Sequence, residues 1–85
     1  MWKLSIVDDQ SQKTVVNLVR DEYTVGRSDE NAVRLTERNI SRKHAIILRT
    51  KYGFLVEDCG SYNGVYLNGV RVESHHELAH KDLLQ

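Results

Sequence analysis

The sequence predicts an all-β fold, a sandwich or barrel of short strands, and three observations support it. Apolar and polar residues alternate along several segments, the period-two signature of a half-buried strand. Turn signals separate these segments at intervals of roughly 8–12 residues, as in small sandwiches and barrels. Asn68-Gly69 stands between Val65-Tyr66-Leu67 and Val70-Arg71-Val72, and an Asn-Gly pair between strand formers specifies a two-residue hairpin.

Along the chain, Trp2, Leu4 and Ile6 alternate with Lys3 and Ser5 and predict a first strand. The polar run from Asp8 to Lys13 reads as a turn, after which Val15 to Val19 is extended again. Tyr23 and Val25 flank Thr24 in a third segment. Between Ser28 and Arg42 the pattern breaks: Ser28-Asp29-Glu30-Asn31 is polar, Val33 and Leu35 are a brief apolar return, and Thr36 to Arg42 is polar once more. A loop of that length in a small domain is usually functional. Ala45 to Leu48 is a continuous apolar run, consistent with a buried strand. Lys51-Tyr52-Gly53 is a turn, and Phe54 to Glu57 is the return strand. Asn63-Gly64 and Asn68-Gly69 are both turn dipeptides of the kind that suits a type I′ turn.

Composition narrows the function. With 85 residues the chain is one domain at most, spanning 1–85. Folding at this size buries roughly 60–65% of the unfolded surface, enough for one modest core and too little for a deep catalytic site. The 12 basic and 12 acidic side chains give a formal net charge of zero, whereas nucleic-acid binders usually carry the basic excess that phosphate contacts require. Cys59 is the only cysteine, so neither an internal disulfide nor a cysteine-rich zinc site can form. Met1 to Ser5 contains no signal-peptide core, and no apolar run approaches the roughly 20 residues of a membrane span. The expectation is a soluble, cytoplasmic, non-enzymatic chain with no cofactor, no metal, and neither nucleic acid nor membrane as a partner.

Three clusters could carry chemistry: Gly26-Arg27-Ser28 after the Tyr23-Thr24-Val25 segment, Ser41-Arg42-Lys43-His44 before Ala45, and Gly60-Ser61-Tyr62-Asn63-Gly64 between two strands. If their loops share one end of a sandwich, they bring together two guanidinium groups, an ammonium, hydroxyls, an amide and backbone N–H groups. A phosphate monoester offers about −1.5 to −2 charge and three strong acceptor oxygens, which Arg matches with a bidentate fork and hydroxyl and backbone donors complete. Singly, each cluster reads as solvated charge and turn residues.

Taken in order, Gly26-Arg27, then Ser41-Arg42-Lys43-His44 about 14 residues on, then Gly60-Ser61-Tyr62-Asn63-Gly64 followed by Asn68-Gly69, the set resembles the forkhead-associated (FHA) domain from about Tyr23 to Val72. The resemblance implies an antiparallel β-sandwich of the FHA/SMAD type that recognises phosphothreonine peptides, so that the partner is a protein phosphorylated by an upstream Ser/Thr kinase. By matching position, Arg27 and Ser41 would contact the phosphate with Arg42 beside them, and Asn63 would hold the peptide backbone. Asn39, Lys43 and Tyr62 would be further peptide contacts, while Gly26, His44 and Gly64 would support the site. Tyr62 stands where the family commonly has Thr. Leu78 to Leu84 is similar to the start of the family's closing Leu-x-x-Gly-Asp-x-Ile stretch, which implies that the last one or two strands are absent. The chain would then be a monomer or a strand-exchanged dimer.

Two other readings compete. An assembly module of the same fold would pair through a sheet edge or exchanged strands without phosphate. His76-Glu77-Leu78-Ala79-His80 matches H-E-x-x-H, which on a helix places two zinc ligands and a base on one face. No later His or Glu follows to supply a third ligand, and the stretch, with His75, reads better as a polar loop near a turn.

Overall fold

The computed structural model describes residues 2–7, 13–36, 40–79 and 83–84. Ten strands form among them: β1 (Trp2–Val7), β2 (Lys13–Leu18), β3 (Glu22–Gly26), β4 (Val33–Arg34), β5 (Ala45–Thr50), β6 (Gly53–Asp58), β7 (Tyr66–Leu67), β8 (Val70–Arg71), β9 (His75–Glu77) and β10 (Leu83–Leu84). They make two five-stranded sheets, ordered β2-β1-β10-β7-β8 and β4-β3-β5-β6-β9. The architecture is the all-β sandwich expected from the period-two pattern.

Alternation builds the core directly. Leu4 and Ile6 of β1, Leu18 of β2, and Leu67 and Leu84 from the same sheet are buried. Opposite them lie Tyr23 and Val25 of β3, Ala45 and Ile47 of β5, and Phe54 and Val56 of β6. Successive side chains of a strand point to opposite faces, so β1, β3, β5 and β6 each give one face to this cluster and turn the other away from it. Trp2 caps one side, meeting Phe54 edge to face with ring centroids 5.5 Å apart. Tyr23 ties two segments together with its hydroxyl, which accepts from Val19 N (2.8 Å) and Arg20 N (2.9 Å) and donates to Asn17 O (3.2 Å).

The register explains where the loops fall. In the antiparallel pair β3–β5, Val25 faces Ala45, and in β5–β6, Ala45 faces Asp58. The end of β3, the start of β5 and the end of β6 therefore form one row, and the segments leaving that row share one end of the sandwich.

Four expectations need correction. The sheets are not purely antiparallel: β1 pairs with β10, and β3 with β4, in parallel. The Val33-Leu35 apolar return contains the short edge strand β4, because the loop after Gly26 turns back far enough for Val33 to lie beside Val25. The two Asn-Gly pairs differ. Asn68 (φ 52°) and Gly69 (φ 82°) have the two positive angles of the β7–β8 type I′ hairpin, but in the other pair only Gly64 does, at 91°. The stretch read as a polar loop includes β9, which pairs antiparallel with β6 through Leu55–Glu77, Val56–His76 and Glu57–His75. His76 and Glu77 are thus strand neighbours on opposite faces, not residues of the helix that the zinc motif requires. His80 and Asn39 lie outside the described residues.

The Tyr23 hydroxyl is the part of this framework that a single atom's removal tests. Tyr23→Phe leaves two backbone N–H groups without their acceptor, which costs about 1–3 kcal/mol. Urea unfolding followed by Trp2 fluorescence should show a lower midpoint at an unchanged slope.

Candidate functional site

Three loops meet at the end of the sandwich defined above: residues 27–32 between β3 and β4, the segment before β5 that includes Ile40 to His44, and residues 59–65 between β6 and β7. Backbone hydrogen bonds hold the first two together. Arg27 N donates to Ser41 O (3.0 Å) and Ser28 N to Arg42 O (3.4 Å). Gly26 makes this approach possible. A Cβ there would collide with the Arg42 carbonyl oxygen and come within 2.8 Å of its carbon and 2.9 Å of Asn31 Nδ2, so no larger residue fits without parting the loops.

Two of the expected contact side chains, those of Arg27 and Ser41, have an identifiable fixture. Arg27 Nε donates to Ile40 O at 3.2 Å, which orients the guanidinium and leaves its two terminal nitrogens for another acceptor. Ser41 Oγ accepts from Tyr62 N at 2.9 Å, joining the second loop to the third while its own proton remains to be donated. Arg42, Lys43 and Asn63 are exposed beside them, and Tyr62 is 91% exposed. Among the described residues Arg27, Arg42 and Lys43 form no ion pair, so these cations of the site are not neutralised by a carboxylate in direct contact.

His44 is 1% exposed and braces the site from beneath: its N donates to Val25 O (2.9 Å) and its O accepts from Cys59 N (3.2 Å). One backbone position thereby ties β3 to the end of β6. Gly64 is buried, and a Cβ on it would come within 2.9 Å of Arg71 Nε and 3.3 Å of Tyr66 Cε1. The expected contact residues Arg27, Ser41, Arg42, Lys43, Tyr62 and Asn63 thus fall on the three converging loops, with Gly26, His44 and Gly64 supporting them.

Sequence reasoning missed other participants. Asn31 Nδ2 donates to Ser28 O (2.9 Å) and to Arg42 O (2.8 Å), bridging the first two loops. Arg34 Nε donates to Arg27 O (3.1 Å). Neither residue carries a sequence signal, since each bond joins a side chain to a backbone carbonyl that only the fold brings near. Beside the grip lies a hollow of about 270 Å³ whose lining includes Lys43, Asn31, Ile46 and Cys59. The Cys59 thiol is pushed above its ordinary value by burial, then by the charges of Glu57 and Asp58, against a smaller opposing pull from Lys43. Among the described residues no group of three or more His, Cys, Asp or Glu side chains could hold a metal ion.

Comparison with known proteins agrees with this geometry. The family model of the FHA domain matches residues 23–85, and the chain belongs to that family. It is 32% identical to zebrafish (Danio rerio) Nibrin over 87% of its own length and 9% of Nibrin's. It is 33% identical to the Synechocystis protein sll1895 over 93% of its length and 13% of that protein's. The chain therefore spans about a tenth of the length of these two relatives. Among solved structures, the FHA domain of CT664 from Chlamydia trachomatis superposes with a TM-score of 0.77 at 27% identity, covering 93% of this chain and 81% of that one. The FhaA FHA domain, solved in complex with the intracellular domain of Rv3910, gives 0.76 at 26%, covering 91% and 84%.

Two measurements probe the site without a ligand. Ser41→Ala removes the acceptor of the Tyr62 amide, so that amide should exchange with deuterium faster while the β5 and β6 amides keep their protection. Because the thiolate is the nucleophile and the pKa of the Cys59 thiol is raised above its ordinary value, iodoacetamide at pH 8 should alkylate Cys59 more slowly than free cysteine.

Proposed function

We propose that the chain is a phosphothreonine-dependent peptide-binding module, linking a Ser/Thr kinase to a phosphorylated protein partner. The observation that supports this most is the paired fixation of Arg27 by Ile40 O and of Ser41 by Tyr62 N. Both side chains are oriented by the fold before any ligand arrives, which reduces the entropy cost of binding. Arg27 offers a guanidinium fork, Ser41 a hydroxyl proton, and Arg42 and Lys43 add positive charge at the rim. A doubly charged phosphoryl group satisfies all of these, whereas a single neutral acceptor leaves most of them unused.

Asn63, beside Tyr62 on the third loop, would hold the peptide backbone, and Asn39 would face a flanking residue. The preference for threonine comes from the family resemblance, in which the threonine methyl fills a small apolar gap between loops. Membership in a family of interaction modules, and the solved complex of FhaA with a protein partner, favour binding over catalysis. An intracellular setting, where kinases act, goes with this reading.

A second reading, assembly without phosphate, is favoured by one feature: β2 is a sheet edge with Val15 54% exposed, and Val19 just beyond it is 64% exposed. Unprotected apolar edges invite pairing.

One titration separates the two readings. Matched peptides bearing Thr, phosphoserine or phosphothreonine at the same position should bind in the order none, weak and strong. Since a hydrogen bond to a charged group contributes about 1.5–3 kcal/mol, Arg27→Ala should weaken the phosphothreonine peptide at least about tenfold. Equal affinity for the Thr and phosphothreonine peptides would overturn the phosphate reading.

A further inference from the structure

Each sheet has two outer strands, and three of the four are short. β4 and β8 are two residues long and β9 is three, whereas β2 has six. Proteins keep a sheet edge from pairing with short strands, charges, proline or bulges. β2 has none of these beyond Lys13 at its first position. Its sequence Lys13-Thr14-Val15-Val16-Asn17-Leu18 contains one charge and no proline, and it pairs with β1 through all six residues without a bulge. Val15 in its middle and Val19 just after it are both more than half exposed. Among the described residues no strand lies on the far side of β2.

Beside that edge the sandwich is open. A groove of about 500 Å³ runs between β2 and β4, with Val16, Ala32 and Val33 in its apolar lining and Arg20 and Arg34 as its charged residues. The two arginines stand at opposite ends: Arg20 precedes the start of β3, and Arg34 pairs with Gly26 at the end of β3. No carboxylate lines the groove. Asp21, next to Arg20, is engaged by Arg49 at 3.1 Å, and Glu22 alternates with the inward Tyr23, so it points to the other face of β3. A strand laid against β2 would satisfy its outward N–H and C=O groups, set alternate side chains over the groove and bring its two ends to the cations. The charges also select the occupant. A second copy would pair β2 with β2 antiparallel about a two-fold axis. With Val15 opposite Val16, each Lys13 falls opposite Leu18, two positions from the other copy's Arg20, and like charges so placed oppose pairing. Acidic strand ends meet the same cations with attraction.

We propose that β2 and the groove beside it bind an extended segment of a partner protein by strand addition, without phosphorylation. The segment carries apolar side chains toward the groove and acidic residues at both ends. The site borders the first loop at Ala32 but uses none of the phosphate contacts, and it stands whether or not the three loops bind phosphothreonine.

The probe is a synthetic peptide of alternating valine and threonine with glutamates at each end, titrated into the chain at low salt beside a control with lysines in place of the glutamates. The glutamate peptide should bind at least about threefold more tightly than the lysine peptide, and the difference should shrink with added salt. Alternate β2 amides should exchange with deuterium more slowly in the complex. N-methylation of alternate peptide residues should abolish binding in one of its two phases, since strand addition runs through main-chain hydrogen bonds. Val15→Asp puts a carboxylate at the middle of the edge and should weaken the glutamate peptide at least about threefold. No binding of the glutamate peptide, equal binding of the lysine peptide, or unchanged exchange in β2 overturns the proposal. Displacement of the glutamate peptide by excess phosphothreonine peptide places it on the three loops and overturns the proposal too. A dimer in sedimentation equilibrium that Val15→Asp dissolves makes a second copy the occupant, with the same consequence. Should Val15→Asp fail to fold, Arg20→Glu reverses the charge at one end of the groove from an exposed turn. It should lower the affinity of the glutamate peptide, and an undiminished affinity would overturn the proposal.

Discussion

The backbone of Arg42 lies against Gly26 with no space for a side chain between them. The rest of the site depends on that closeness. It lets Arg27 N and Ser28 N reach the carbonyls of Ser41 and Arg42, and it places Asn31 where one amide spans both loops. With the first two loops joined, Ser41 is held where its hydroxyl can meet Tyr62 N and bring in the third. Functional loops on small domains are usually the most mobile part of the molecule. Here backbone and side-chain bonds limit that freedom, and a binding surface gains affinity when its groups are ordered in advance.

The sandwich and the site divide the work between two kinds of interaction. The sandwich is held by apolar alternation, with Ile47, Val25 and Val56 all at 0% exposure. The site is held by hydrogen bonds to backbone carbonyls at its solvent-facing end. A loss at the site, such as the Ser41 hydroxyl, therefore removes a bond worth about 1 kcal/mol without opening a cavity. A truncation in the core removes packing worth several times more. Binding loops can consequently vary in chemistry while the sheets beneath them stay the same.

Much of this was legible in the sequence, because the relevant signals are local. Period-two alternation marked β1 and β3, a continuous apolar run and the turn after it marked β5 and β6, and Asn68-Gly69 marked a hairpin whose two positive φ angles need that pair. The ordered clusters marked residues that the three loops bring together at one end of the sandwich. What was not legible depends on contacts between distant segments. Val33-Arg34 forms a strand only because Val25 lies alongside. The Asn63-Gly64 pair resembles the hairpin pair in letters, yet only its glycine takes a positive angle. His75–Glu77 is strand because β6 offers it an edge. Asn31, Arg34 and Arg71 look like ordinary surface residues until the fold shows which carbonyl or loop each one meets.

The parallel pairing of β10 with β1 has a consequence for how the domain assembles. Leu83 and Leu84 align with Ser5 and Ile6 and stand between β1 and β7, so the first sheet is continuous only once the chain has been made through Leu84. Closing so long a loop is entropically costly and slows folding. The pairs β3–β5 and β5–β6 draw on a much shorter stretch, from Glu22 to Asp58. During synthesis from the N-terminus, the sheet that carries the first two loops can therefore form while the opposite sheet still lacks its middle strand. Folding of this domain would begin at the grip and finish at the sheet that backs it.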